Sequence, residues 1–294
     1  MARSGVTHRG DHWAEWLRQR RTGGSPEARQ VLLDSLAPFR DQILDGSELQ
    51  AGEVLLDVGC GDGLVGLGAL DRGARVIFSD ISSDCLDDCR AIAGSTADYL
   101  VAPATDLGDV EVNVVTTRSV LIYVSDKKQA FAEFFRLLRP GGRISIFEPI
   151  NRFGMEERRR TLAFGDVSGV EELVAKVAEK FDRVEASVGG IDAMLDFDER
   201  DLIGLAEEAG FEAIRLNLIA EVTNEPMWTT RDWEVFVNAS PNPLAPTLGE
   251  AMDAALTHDE TEALTAVLRP QVESGVGTTR LARAFLTARK PSRS

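Results

Sequence analysis

Apolar positions along the chain follow two periods. Val54, Leu55, Leu56 and Val58 flank Asp57, and an apolar run from Leu64 to Leu70 resumes after Gly59, Gly61 and Gly63. That pattern predicts a buried strand, a glycine turn and a helix. Ala74 to Phe78 predicts a second strand, Asp98 to Val101 a third, and the run from Val112 a fourth. An apolar-periodic helix to Leu138 then meets Arg139-Pro140-Gly141-Gly142, a sharp return into a fifth strand from Arg143 to Phe147. Upstream, Trp13, Trp16 and Leu17 share a helix face. After the Gly23-Gly24-Ser25-Pro26 break, Val31, Leu32, Leu36, Phe39, Ile43 and Leu44 mark a second amphipathic helix.

The second half is patterned differently. Val170 to Phe181 reads as an amphipathic helix, and Ala186 to Leu195 as a connector. A helix follows from about Asp198 to Ala209, closed by Gly210. Phe211 to Ile219 and Thr279 to Arg289 read as strands, with roughly fifty residues between them, too many for a structureless loop. Within that stretch Met227, Trp228 and Trp233 precede the stiff Pro241-to-Pro246 connector. Thr247-x-x-Glu250 and Thr257-x-x-Glu260 are capping-box patterns that open helices. The expectation is a helical lid, with a homodimer interface or plain structural cover as the other uses of its aromatics. His258 falls at the first position of a capped helix, and His8 and His12 lie in the N-terminal tail, so none is assigned as a base.

Charge narrows the partners. The 294 residues carry a formal net charge of -16, which argues against nucleic acid, because phosphate-binding surfaces need clustered Lys and Arg. Three cysteines, no signal peptide and no long apolar run make a cytoplasmic protein without a membrane span the expectation. Cys85 and Cys89, four apart on one helix face, read as core thiols, and no Cys or His cluster suggests a metal.

The glycine turn carries the candidate chemistry. Gly61 is followed by Asp62 and Gly63 with no Lys, which fits neither a dinucleotide turn nor a P-loop. Asp57 and Asp62 suit a ligand with an ammonium or sulfonium charge rather than a pyrophosphate. Asp80 lies about twenty residues beyond the turn, where an acidic side chain accepts ribose hydroxyls. The stretch from Val54 to Gly63 resembles motif I of the class I S-adenosylmethionine-dependent methyltransferases. Residues 53 to 150 resemble that family's pattern as an ensemble, including the Arg-x-Leu-x-Pro-Gly-Gly return as it stands at Arg136 to Gly142.

The resemblance implies an α/β fold with a Rossmann-like seven-stranded sheet of order 3-2-1-4-5-7-6. Residues 1–52 would be an N-terminal helical cover and 53–222 the cofactor-binding core, with a cap segment near 151–197. Residues 223–278 would be the lid insertion and 279–294 the last core strand and tail. S-adenosylmethionine is the implied cofactor, S-adenosylhomocysteine its product. The implied cofactor contacts are Asp57, Gly59, the backbone of Cys60, Gly61, Gly63, Asp80 at the ribose and Ile81 on the adenine. Pro103 stands where the family often has an Asp at the adenine, which leaves Asp106 or main-chain groups for that contact. Strand ends of open parallel sheets border the ligand crevice. They supply Thr117 and Arg118 toward the cofactor, Ser119 and Asn151 toward the substrate, and Tyr123 and Glu148 as candidate bases. Arg21 is the arginine chosen for the cofactor carboxylate, with Trp13, Trp16 and Trp228 as substrate walls.

A sulfonium methyl is already electrophilic, so positioning and exclusion of water are the main demands on the protein. The expected function is methylation of a small molecule in secondary metabolism, the acceptor atom being O, N or C. A protein that binds the cofactor without transferring methyl, cyclase-like or regulatory, and a protein-modifying methyltransferase are the alternatives.

Overall fold

A computed structural model describes residues 11–185 and 193–292. His8 and most of the Ala186-to-Leu195 connector lie outside the described residues. Two helices come first, α1 (His12–Arg18) and α2 (Pro26–Gly46). Then β1 (Val54–Val58), α3 (Leu64–Asp71), β2 (Arg75–Asp80), α4 (Ser83–Ala93) and β3 (Ala97–Val101) alternate, followed by β4 (Val112–Arg118), α5 (Lys127–Leu137) and β5 (Leu138–Pro149). Helices α6 (Met155–Thr161), α7 (Glu171–Glu185) and α8 (Glu199–Ala209) precede β6 (Glu212–Thr223). The chain closes with α9 (Trp233–Val237), α10 (Leu248–Ala255), α11 (His258–Ser274) and β7 (Thr279–Arg289).

One seven-stranded sheet runs β3-β2-β1-β4-β5-β7-β6. The β3-to-β5 half is parallel, and β7 pairs antiparallel with both β5 and β6. Chain order reverses between β1 and β4, which opens a crevice at the carboxyl ends of those strands. Strand period two divides the core between the sheet's faces. Leu55 and Val114 pack with Phe78, Ile43 and Leu86, while Leu56 and Val115 pack with Phe131, Phe134 and Leu202.

Two details differ from the sequence pattern. The fifth strand begins at Leu138 rather than Arg143, but Val112 pairs with Leu138 and Val114 with Arg143. Arg139 to Gly142 therefore leave the ladder as the expected return, with Gly141 at φ 77°. The helices of 151–185 and those between β6 and β7 also share one apolar core, around Phe164, Val174, Trp233, Met252 and Leu264.

Candidate functional site

Three glycines shape the end of β1. Gly59, Gly61 and Gly63 have φ of 62°, 52° and 78°, the left-handed region that costs other residues strain. A Cβ on Gly59 would lie 2.5 Å from a Val120 methyl, so that position has no room for a side chain. Asp57 holds the turn from beneath. Its carboxylate accepts hydrogen bonds from Gly66 N–H at 2.9 Å and the Thr116 hydroxyl at 3.2 Å, and burial pushes its pKa up to about 7.

The crevice holds a cavity of about 510 Å³. Gly59, Gly61, Asp80, Ile81, Arg118, Ser119, Tyr123 and Asn151 line it from the sheet side, and Trp13, Trp16 and Arg21 from the N-terminal cover. Asp80, 8% exposed, accepts from Gly61 N–H and Ser82 N–H, both at 2.9 Å. Desolvation raises its pKa, opposed by those two bonds. One carboxylate thus ties the glycine turn to the end of β2, and each oxygen keeps capacity for a further donor.

Arg21 and Arg118 face each other across Asp62, at 3.5 and 3.6 Å. Burial, and then Arg118, lower Arg21 to about 10, so it stays charged at neutral pH. Asp62 Oδ1 makes no hydrogen bond among the described residues. Two guanidiniums sharing one carboxylate leave a net positive charge at the cavity wall.

The cover is fastened in place. Trp16 Nε1 donates to Ser240 O at 2.9 Å, Ser240 N donates to Arg20 O at 2.7 Å, and Arg20 pairs with Glu250 at 2.7 Å. On the other side Arg18 makes two hydrogen bonds to Asp88 of α4, at 2.7 and 2.8 Å. Trp13 meets Tyr123 edge-on, with centroids 4.9 Å apart.

Several expected residues stand elsewhere. Asp57 is buried under the turn and does not line the cavity; neither do Cys60 and Gly63. Cys60 Sγ instead lies 3.9 Å from Cys89 Sγ. Thr117 points inward and donates to Glu148 at 3.5 Å. Asp106 is off the wall, which Ala102, Pro103, Ala104 and Thr105 form instead. Glu148, fully buried, accepts from Val120 and Leu121 N–H at 2.9 Å and Ile122 N–H at 3.3 Å. Those donors explain the correction: its carboxylate is spent holding the 120–122 turn rather than facing a substrate. Tyr123 does line the cavity, but burial raises its pKa, so it is a phenol and a donor rather than a base at neutral pH. Trp228 lines a second, adjoining cavity. Sequence reading missed Ser119's φ of 58°, Leu17, Met194 and the Pro241-Asn242 pair of the connector, all on the first cavity's wall. The prolines predict stiffness, and nothing in their pattern says which wall they reach.

These residues fit S-adenosylmethionine. Asp80 keeps acceptor lone pairs on the cavity wall that would take ribose hydroxyls, and Ile81, 53% exposed beside it, would offer an apolar face to adenine. Arg21 and Arg118 would meet the methionyl carboxylate, and Ala102 to Thr105 would flank the adenine edge.

Residues 56–146 match the model of a family described as a methyltransferase domain. An uncharacterized 37.1 kDa protein in transposon TN4556 from Streptomyces fradiae is 34% identical over 128 residues, 40% of this chain and 36% of that protein. The ubiquinone biosynthesis O-methyltransferase of Methylococcus capsulatus is 32% identical over 134 residues, 43% of this chain and 56% of the relative. The chain thus spans from about a third to just over half the length of these curated relatives. Among solved structures, the [4+2]-cyclase SpnF has the same fold, with a TM-score of 0.51 and 21% identity over 88% of this chain and 83% of that one. Sheet order, glycine turn and the match over residues 56–146 make this part of the chain similar to the class I S-adenosylmethionine-dependent methyltransferases, whose fold the whole sheet shares.

Proposed function

We propose that the protein transfers the methyl group of S-adenosylmethionine to a small organic molecule. The observation that carries the reading is the convergence of Gly59, Gly61, Asp80 and the Arg21–Arg118 pair on one cavity at the switch between β1 and β4. The bound cofactor supplies an electrophilic methyl. The chain's residues bind, orient and enclose: Asp80 and the two arginines anchor the ligand's ends, while Trp13, Trp16 and Tyr123 exclude water from the reacting space.

Asp80 is the only carboxylate among the described residues lining the two cavities, and no histidine lines either. Catalysis is therefore read as positioning rather than strong general-base chemistry. A net charge of -16 supports a small-molecule acceptor over nucleic acid, and a partly apolar cleft walled by aromatic side chains supports a metabolite of secondary metabolism. The O-methyltransferase name of the ubiquinone-pathway relatives makes oxygen the first acceptor atom to test.

The test follows a labelled methyl. Purified protein is incubated with methyl-labelled cofactor and an extract of the source cells, which is then fractionated. Label in small organic molecules is the expected result. Label in polypeptide would replace the acceptor class, and tight cofactor binding with no label moved from any fraction would overturn transfer in favour of a scaffold or sensor.

A further inference from the structure

The sheet ends in two open edges, β3 and β6. The first is five residues long; the second is twelve and carries no Lys or Pro, residues that commonly keep an edge from pairing. A bulge with Ala213 at φ 51° guards only the first residues of β6, and pairing with β7 is regular from Arg215 to Thr223. The outer side of that stretch is unspent. Ile150 N–H donates to Ala282 O at 2.8 Å and Lys290 N–H to Gly142 O at 2.7 Å, so even-numbered positions along β7 turn their main chain toward β5. Direction alternates along a strand, and odd-numbered positions of β7 therefore bond to Arg215, Asn217, Ile219 and Glu221 of β6. Leu216, Leu218, Ala220 and Val222 point their N–H and C=O groups outward, where no described residue bonds to them.

The side chains along this edge are complementary to themselves. Ile214 and Leu216 are partly buried against the core that includes Leu202 and Ala206 of α8, whereas Leu218 and Val222 on the same face are 41% and 62% exposed. On the other face Arg215 and Glu221 stand three positions to either side of Leu218. Arg215 is exposed and has no acidic partner among the described residues. Glu221 pairs with Arg283 at 2.7 Å, yet its side chain is 42% exposed and a carboxylate accepts more than one donor.

We propose that β6 is the contact between two copies of this chain, joined antiparallel about a two-fold axis at Leu218 so that the two sheets become one. In this register Leu216 of each copy exchanges main-chain hydrogen bonds with Ala220 of the other, and Leu218 with Leu218. Arg215 faces Glu221 twice, once on each side of the axis, as an isologous contact requires. Val222 meets Ile214, so the half of the strand that α8 leaves bare in one copy lies against the half that α8 covers in the other. A slip of two residues sets Arg215 opposite Ile219 or Thr223 and loses both ion pairs. A slip of one sets outward groups against groups already bonded to β7.

Sedimentation of the full chain at about 0.15 M salt, where repulsion between two copies is screened beyond about 8 Å, should show a dimer at concentrations up to about 100 μM. Leu218→Lys sets like charges together on the axis and should raise the dimer dissociation constant about tenfold or more. Arg215→Glu, which sets a carboxylate against Glu221, should raise it about fivefold or more. Ile92→Lys changes an apolar side chain of α4 that is 68% exposed and should leave it within about twofold. Calorimetric affinity for S-adenosylmethionine, unchanged in all three, shows that they fold. Amide exchange reads the register: the Leu216, Leu218 and Ala220 amides should be protected in the dimer and lose protection on dilution or in either β6 variant, while Asn217, Ile219 and Glu221 stay protected throughout. A wild-type chain that is monomeric over the whole range, a dimer that survives both β6 variants, or a dimer whose Leu218 amide exchanges freely overturns the proposal.

Discussion

Asp80 and Glu148 are both buried carboxylates at strand ends, and their different neighbours give them different work. Asp80 bridges the glycine turn and the start of α4 with one bond per oxygen, at the cavity wall. Glu148 is taken up by three main-chain N–H groups. Replacing Asp80 with Ala should therefore weaken binding of S-adenosylmethionine by about 1–3 kcal/mol, roughly fivefold to 150-fold, in calorimetry. An unchanged dissociation constant would remove Asp80 from the cofactor's contacts. The glycines and Asp80 were legible because their spacing is local and their demands on backbone angle and charge are strict. Asp57, Glu148 and Thr117 were not, because a strand-end side chain faces either the crevice or the main chain of the next element, and spacing is the same in both cases. Closeness to a glycine break points to Arg21, but its sharing of Asp62 with Arg118 is visible only in three dimensions.

Local signals also carried the helices of the insertion. Both capping boxes form as their sequence patterns predict, Thr247 with Glu250 and Thr257 with Glu260. Each Glu also holds a cation from another helix while accepting from its own cap N–H at 2.8 Å: Glu250 pairs with Arg20 of the cover and Glu260 with Lys176 of α7. Thr247→Ala should lower unfolding free energy by about 1 kcal/mol in urea titration, the usual worth of a helix cap. A loss well under half of that would mean that Arg20, rather than the cap, positions Glu250. What the sequence could not show is the fastening of α1 to the insertion. The bond from Trp16 to Ser240 joins positions 224 apart, and no periodicity encodes a partner at that distance. The shared core of Phe164, Val174 and Trp233 was hidden for the same reason: each helix shows its apolar face, not the face it will meet.

For the molecule as a whole, pH sets two opposed trends. Burial raises Asp57 and Glu148 to about 7, above their unfolded values. Between about pH 4 and 7 the unfolded chain has released those protons while the native state keeps them, so stability falls as pH rises through that window. Glu250 and Glu53 are held low, first by hydrogen bonds from Arg20 and Arg143, and the stability they add is lost as pH falls below the ordinary carboxylate range. Stability should therefore peak on the acid side of neutrality, with a decline toward pH 7 of up to about 1.4 kcal/mol per pH unit for each buried carboxylate. Denaturant midpoints measured from pH 4 to 8 check this, and Glu148→Gln should flatten the decline; a profile rising steadily to pH 8 would contradict it.

The place of β7 in the sheet bears on how the chain acquires its fold. The last of the seven strands in chain order, Thr279–Arg289, is not an edge but the join between β5 and β6. Until it is made, β5 presents an open hydrogen-bonding edge and β6 has no neighbour at all in the sheet. Such edges pair readily with other chains. Completion of the sheet is therefore a late, long-range event, slower than the local β1-to-β5 half and exposed to misassembly while the ribosome is still at work.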